Sequence, residues 1–134
     1  MIDSHGRTIR DLRLSITDKC NFRCVYCMDP DVRFMPTDEL LSPDELARVA
    51  RVCASLGVDK IRLTGGEPTV HPDLVRIIRD MAALKLDDLA MTTNGSLMSD
   101  AALESWRDAG LQRLTISIDS VHEDRFRAVT RSKF

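Results

Sequence analysis

The sequence predicts an α/β fold built on a parallel β-sheet, and three observations lead to that prediction. Short apolar runs typical of buried strands alternate with longer amphipathic segments typical of helices. The strand-like runs that start at Ile61, Leu89 and Leu114 recur at nearly equal intervals, as repeated strand–helix units do. Glycine and asparagine mark the turns between them. The resulting order βαβαβαβα predicts parallel strands joined by right-handed crossovers.

The first strand is predicted over residues 12–16, and it leads into a loop that runs to about Leu41. Loops of that length in a compact domain are usually functional. The stretch Ser42-Pro43-Asp44-Glu45 predicts a helix start, because Ser and Glu three apart form a capping box and Pro suits the first helical position. Gly57 predicts the end of this first helix.

The second strand is predicted over residues 60–64, with Pro72 opening the helix that follows it. The third strand is predicted over residues 89–93, followed by a helix that Ser99 caps and Gly110 ends. A fourth strand is predicted over residues 114–118. Residues 120–123 then form a second Ser-x-x-Glu pattern, which predicts a capping box and a last helix to about residue 129.

Composition and charge exclude several classes of protein. The chain has 134 residues, one domain's worth, with 43% hydrophobic and 30% charged residues, ordinary values for a globular protein. A net charge of −2 favours neither nucleic acid nor an anionic membrane as partner. No apolar stretch is long enough for a membrane span, and the first residues lack a signal-peptide pattern. We therefore expect a cytoplasmic protein in a reducing compartment.

Three cysteines carry the clearest chemical signal. Cys20, Cys24 and Cys27 form a C-x3-C-x2-C run in the loop after the first strand. Soft thiolate ligands select zinc, copper(I) or iron–sulfur clusters. Structural zinc sites and ferredoxin clusters usually take four protein ligands, so three leave a coordination position open for a small molecule. A zinc site completed by a further side chain is the alternative.

The residues that could complete such a zinc site are poorly placed for it. Cys53 falls on the apolar face of the first predicted helix, where a buried and inert cysteine is the common case. His5, His71 and His122 are predicted to be surface or turn residues rather than metal ligands.

Four stretches carry a family resemblance: LRLSITDKCNFRC at residues 12–24, IRLTGGEP at 61–68, TTNG at 92–95 and SIDS at 117–120. With Tyr26 before the last cysteine, they resemble the GTP 3′,8-cyclase family of molybdenum-cofactor biosynthesis, within the radical S-adenosylmethionine (SAM) superfamily. The resemblance extends over nearly the whole chain. It implies a partial (β/α) barrel of radical-SAM type, truncated after about four βα units. It also implies that residues 1–134 are an incomplete core domain lacking the C-terminal cluster region.

The resemblance implies a radical SAM lyase that converts GTP, with S-adenosylmethionine, into a cyclised molybdopterin precursor. The implied cofactors are a 4Fe–4S cluster and S-adenosylmethionine, and no residue is implied as an acid or base catalyst. The implied cluster ligands are Cys20, Cys24 and Cys27. The implied contacts to S-adenosylmethionine come from Tyr26, Gly66, Glu67 and Ser117, and those to GTP from Arg13, Arg62 and Thr93, with Asn94 and Asp119 as further candidates.

Two alternative functions remain open at this point. The chain could be a radical SAM relative that acts on a peptide or another small molecule, or a non-catalytic iron–sulfur or zinc-binding remnant. We expect a reductant or electron-donor protein as partner, because cluster chemistry needs an electron. We also expect a fragment with an open sheet edge, through which the isolated chain could self-associate.

Overall fold

The computed structural model describes residues 2–132. Its single sheet has four parallel strands in the order β1-β2-β3-β4, and each strand is followed by a helix. The strands are β1 (Asp11–Ser15), β2 (Lys60–Thr64), β3 (Asp88–Thr93) and β4 (Arg113–Ile116). The helices are α1 (Pro43–Ser55), α2 (Leu74–Ala82), α3 (Asp100–Asp108) and α4 (Glu123–Thr130). The predicted α/β fold of four βα units is confirmed.

One face of the sheet is apolar and packs against helices. Leu14, Leu63 and Met91 are in register on adjacent strands, and all three are buried. They pack with apolar residues of α1 and α2, among them Leu46 and Ile77. Because side chains alternate along a strand, the intervening residues lie on the opposite face, which is largely polar.

Two predicted helix starts are confirmed by their hydrogen bonds. Ser42 and Glu45 form the full capping box, with Ser42 N–H donating to Glu45 Oε2 at 2.8 Å and Glu45 N–H donating to Ser42 Oγ at 3.4 Å. Ser99 caps α3 by accepting from Ala102 N–H at 3.2 Å. These side chains satisfy backbone donors that the helix itself leaves unpaired.

Three predicted boundaries are wrong. Helix α2 begins at Leu74 rather than at Pro72, and strand β4 ends at Ile116 rather than at residue 118. The second capping box does not form, because α4 begins at Glu123 with His122 as its N-cap residue. Ser120 Oγ instead accepts from His122 N–H at 3.0 Å, which makes a turn before the helix.

Strand β4 lies at one end of the sheet, paired only with β3 among the described strands. Ile116 and Ile118 are exposed there. None of the helices within residues 2–132 has the length and apolar character that crossing a bilayer requires.

Candidate cofactor and substrate site

The carboxyl ends of the four strands meet at one edge of the sheet, where a cavity of about 230 Å³ opens. We call it the cysteine cavity. Its lining includes all three loop cysteines, the four residues implied to hold S-adenosylmethionine and one of those implied to contact GTP: Cys20, Cys24, Cys27, Tyr26, Gly66, Glu67, Ser117 and Thr93. Ligand sites in parallel sheets are expected at this edge. The structure therefore brings eight of the ten implied site residues to one place.

The start of the cysteine loop is packed against the Gly-Gly-Glu turn that follows β2. Gly66 N–H donates to Thr17 O at 2.7 Å, and Glu67 N–H donates to Lys19 O at 2.8 Å. A Cβ at Gly66 would lie 2.4 Å from the carbonyl oxygens of both Asp18 and Lys19. Only glycine allows this approach of two backbones, which fixes Cys20 beside the turn.

The three loop cysteines are free thiols. Burial raises the pKa of the Cys20 thiol, and burial likewise raises the pKa of the Cys24 thiol. Both thiols are therefore protonated at neutral pH in the free protein. Binding a metal centre has to displace those protons, because the thiolate is the ligand.

The donor set of three thiols fits an iron–sulfur cluster in its chemistry. Within residues 2–132, no three His, Cys, Asp or Glu side chains lie together as ligands of one ion. Three thiols line one cavity, and soft thiolates are the ligands that iron–sulfur clusters take.

Tyr26 links the cysteine loop to the end of β4. Its hydroxyl donates to Asp119 at 3.0 Å and 3.2 Å to the two carboxylate oxygens. This hydrogen bond raises the pKa of Tyr26 to about 12, so the hydroxyl stays neutral. Asp119 does not line the cysteine cavity itself, but it contacts Tyr26, which does.

Glu67 is buried, and its carboxylate is engaged by hydrogen bonds from the protein. Oε1 accepts two hydrogen bonds from Thr69, one from its N–H at 3.0 Å and one from its Oγ1 at 2.5 Å. Oε1 also accepts from Thr93 Oγ1 at 2.6 Å. Oε2 accepts from Asn94 N–H at 2.7 Å. Four donors satisfy this buried carboxyl group and tie the turn after β2 to the end of β3.

Two neighbouring threonines at the end of β3 have different roles in the structure. The Thr93 hydroxyl donates to Glu67 and accepts from Gly95 N–H at 3.1 Å. Thr92 also lines the cysteine cavity, but its buried Oγ1 has no hydrogen-bond partner among the described residues. A buried hydroxyl without a partner at a cavity wall is suited to bind a ligand. Sequence reasoning missed Thr92, although strand alternation predicts that adjacent threonines face opposite sides.

Ser117 lies just beyond β4, where its N–H donates to Thr93 O at 2.9 Å. This bond continues the pairing of β3 and β4 by one residue and brings Ser117 to the cavity wall. Ser117 is exposed, so its hydroxyl is accessible to a ligand.

Arg13 and Arg62 lie outside the cysteine cavity. They line a second cavity of about 170 Å³, nearer the amino ends of the strands. In the strand register, Arg13 on β1 lies opposite Arg62 on β2, and Ala90 on β3 separates Arg62 from Arg113 on β4. Three arginines therefore occupy one row across the polar face. Arg113 was not predicted as a site residue. Its ion pair with Asp88 lowers the pKa of that carboxyl.

The remaining cysteine and the histidines stand apart from the cysteine cavity. Cys53 is packed against the core from α1. His71 Nδ1 accepts from Asp73 N–H at 3.0 Å, and burial lowers the pKa of His71, so this ring is neutral. His5, His71 and His122 are not among the residues that line the cysteine cavity.

Comparison with known proteins assigns the family. The model of the radical SAM superfamily matches residues 14–134. The chain belongs to the radical SAM superfamily. The match includes the cysteine run, the Gly-Gly-Glu turn and the strand ends that form the cysteine cavity.

The chain is also similar to curated radical SAM enzymes. It is 52% identical over 132 residues to a GTP 3′,8-cyclase of Marinobacter nauticus, covering 98% of this chain and 40% of that protein. GTP 3′,8-cyclase 1 of Pseudomonas aeruginosa is likewise 52% identical, with the same coverage. The chain thus spans about 40% of the length of these relatives.

Solved structures confirm the partial barrel. Streptococcus suis SuiB bound to S-adenosylmethionine superposes with a TM-score of 0.74 at 18% identity, covering 92% of this chain and 26% of SuiB. BtrN in complex with AdoMet and 2-DOIA superposes with a TM-score of 0.66 at 17% identity, covering 92% of this chain and 51% of BtrN. At these identities the likeness shows a shared fold.

Proposed function

We propose that this chain is the cluster-binding part of a GTP 3′,8-cyclase that acts in molybdenum-cofactor biosynthesis. One observation carries the proposal. The three thiols of the C-x3-C-x2-C run and the Gly-Gly-Glu turn line one cavity, in a chain 52% identical to proteins named GTP 3′,8-cyclase.

In this proposal Cys20, Cys24 and Cys27 hold one 4Fe–4S cluster. Three protein ligands leave one iron open to a small molecule, as a catalytic metal centre requires. When bound, the cluster supplies the electron that breaks a carbon–sulfur bond of S-adenosylmethionine. The protein's part is to hold the thiols and to shape the cavity around them.

Tyr26, Gly66 and Ser117 are the proposed contacts to S-adenosylmethionine. Gly66 offers backbone close to the cavity, Tyr26 neighbours the last ligand cysteine, and the Ser117 hydroxyl is exposed at the wall. Glu67 has a different proposed role from the one first expected. Its carboxylate is already held by four protein donors, so it fixes the turn and the β3 end that face the cofactor.

The substrate contacts are proposed on the polar face of the sheet. Arg13 and Arg62 lie side by side on adjacent strands and suit a polyphosphate, because guanidinium groups bind phosphate oxygens in pairs. Arg113 extends this row and is held by its ion pair with Asp88. Thr92 offers a hydroxyl without a protein partner in the cysteine cavity, between the cluster ligands and this row. We propose Thr92 as a substrate contact and Thr93 as its structural support.

The proposed reaction sets its partners and compartment. Reductive cleavage of S-adenosylmethionine consumes an electron, so a reductant or electron-donor protein is required. A cluster with an open iron needs reducing surroundings, which supports a cytoplasmic location.

The direct test combines metal analysis with one product assay and one binding assay after anaerobic reconstitution. The chain is expected to bind iron and sulfide, and to release 5′-deoxyadenosine from S-adenosylmethionine under strong reductant. GTP is expected to bind, with affinity lowered in Arg62→Ala. Zinc without iron, or no cleavage of S-adenosylmethionine by the iron-loaded chain, would contradict the proposal.

A further inference from the structure

Each of the three ligand cysteines has an immediate neighbour fixed to a distant part of the chain. Next to Cys20, the Asn21 side chain donates from Nδ2 to Ser96 Oγ at 2.7 Å. Its Oδ1 accepts from Asn94 Nδ2 at 2.9 Å. Asn94 in turn accepts at Oδ1 from Ser96 N–H at 2.9 Å and Ser96 Oγ at 2.7 Å. This closed network fastens the first ligand to the loop after β3.

The middle ligand, Cys24, is held by the backbone on both sides. Arg23 N–H donates to Thr130 O at 3.0 Å, and Val25 N–H donates to Val129 O at 2.9 Å. These carbonyls belong to the last turn of α4, where the helix leaves its own acceptors unpaired. The rings of Phe22 and Phe126 meet edge to face at 5.7 Å beside these bonds. The end of α4 is thereby docked on the cysteine loop.

The last ligand, Cys27, follows Tyr26, whose hydroxyl donates to Asp119 at 3.0 Å. Asp119 lies after β4, so the third tether comes from a different loop than the first. All three tethers originate from residues 94–130, far along the chain from the loop that they hold.

We propose that these three tethers position the cysteine thiols before any cluster is bound, with Asn94 and Asp119 acting as positioning residues for cluster ligation. The inference rests on the proposed role of the three cysteines as cluster ligands. A loop that is flexible in the metal-free protein loses conformational entropy when it binds a cluster. A tethered loop has lost much of that freedom on folding, so it takes up iron and sulfide faster and holds them more tightly.

Because each tether holds a different neighbour of a cysteine, the loss of one tether is expected to affect one cysteine more than the others. Loss of Asp119 removes the hydrogen bonds that hold the Tyr26 hydroxyl in place and loosens the neighbouring Cys27, leaving that hydroxyl only its contact with Cys24. Cys20 keeps its own tether through Asn21. Loss of the Asn94 side chain removes one of the two hydrogen bonds that hold Asn21 and loosens Cys20, while Cys27 stays held. A general loss of stability would instead affect all cysteines together, including Cys53 in α1.

The test measures alkylation rates of each cysteine in the metal-free 134-residue chain by mass spectrometry at fixed pH. Asp119→Ala is expected to speed alkylation of Cys27 about fivefold, the factor that one hydrogen bond is worth. Asn94→Ala is expected to do the same for Cys20. Asp119→Asn keeps an acceptor for the tyrosine hydroxyl, so it should retain the slow rate and thereby exclude a purely electrostatic effect. Asp108→Ala removes an exposed carboxylate on α3 and serves as the control.

The second measurement follows the appearance of the cluster chromophore during reconstitution. Asp119→Ala and Asn94→Ala are expected to assemble the cluster about fivefold more slowly than the unaltered chain and Asp108→Ala. Unchanged alkylation patterns, a parallel rise that includes Cys53, or unchanged assembly rates would each overturn the inference. Cysteine-specific alkylation changes in a chain that binds no cluster would uphold the tethers and refute the proposed function instead.

Discussion

Thr93 Oγ1 donates to Glu67 Oε1 at 2.6 Å, and both side chains are buried. The bond joins the turn after β2 to the end of β3, beneath the cysteine cavity. With the Asn94 N–H bond to the other carboxylate oxygen, it makes Glu67 the link between two strand ends.

We expect Glu67→Gln to destabilise the fold. The amide keeps one acceptor oxygen where the carboxylate had two, so at least one buried donor among Thr93 and Asn94 loses its partner. The free energy of unfolding should fall by about 1–3 kcal/mol, measured by urea denaturation. Unfolding at the same urea concentration as the unaltered chain would show that the carboxylate network contributes nothing.

Thr92→Val and Thr93→Val are expected to separate binding from stability. Thr92→Val replaces an unpartnered buried hydroxyl with a methyl of similar shape, so stability should hold or rise slightly while GTP binding weakens about tenfold. Thr93→Val should lower the free energy of unfolding by about 1 kcal/mol. Calorimetric titration with GTP and thermal melts measure the two effects, and a reversed pattern would assign the substrate contact to Thr93.

Gly66→Ala is expected to push the cysteine loop away from the Gly-Gly-Glu turn. The added Cβ would meet the carbonyls of Asp18 and Lys19 at 2.4 Å, and backbone atoms cannot yield without moving the loop. Overpacking of this kind costs about 1–3 kcal/mol, and bound iron should fall with it. Gly6→Ala controls for backbone strain without overlap, because its φ of +77° disfavours alanine while nothing lies within 4 Å of the added Cβ, so its iron content should stay unchanged. Full iron content in Gly66→Ala would contradict the close packing.

His71 is expected to make stability depend on pH. Burial lowers the pKa of His71 in the folded state, and Nδ1 accepts from Asp73 N–H, which requires the neutral ring. The unfolded chain takes up a proton near pH 6.5, so stability should fall as pH drops below that value, until the folded state also protonates. His71→Gln should flatten this dependence in melts between about pH 7 and pH 5. If the stability of His71→Gln depends on pH as steeply as that of the unaltered chain, other titratable groups cause the dependence.

The sequence predicted the elements whose signals are local. The Ser42–Glu45 capping box formed because both residues lie within one turn and nothing distant competes for them. The same pattern at Ser120 failed, because Glu123 is the first residue of α4 and forms an ion pair with Arg127 at 2.8 Å. The Ser-x-x-Glu motif alone does not determine where α4 starts, because contacts with the cysteine loop hold the carboxyl end of that helix.

The site was predicted in its composition but not in its connections. Motif resemblance indicated the cysteines, Ser117 and Thr93 but not Thr92, and only the folded structure shows which of the two hydroxyls has a partner inside the protein. The Asn21–Asn94 bond joins residues 73 positions apart. No local pattern encodes such a pair, since it exists only after β1 and β3 occupy the same sheet.

The central claim is that Cys20, Cys24 and Cys27 are the ligands of one 4Fe–4S cluster, and anaerobic reconstitution followed by iron and sulfide analysis tests it most directly. The unaltered chain and Cys53→Ala should bind one oxygen-sensitive cluster, whereas Cys20→Ala, Cys24→Ala and Cys27→Ala should each lose it. Full iron and sulfide in Cys24→Ala, or loss in Cys53→Ala, would contradict the account.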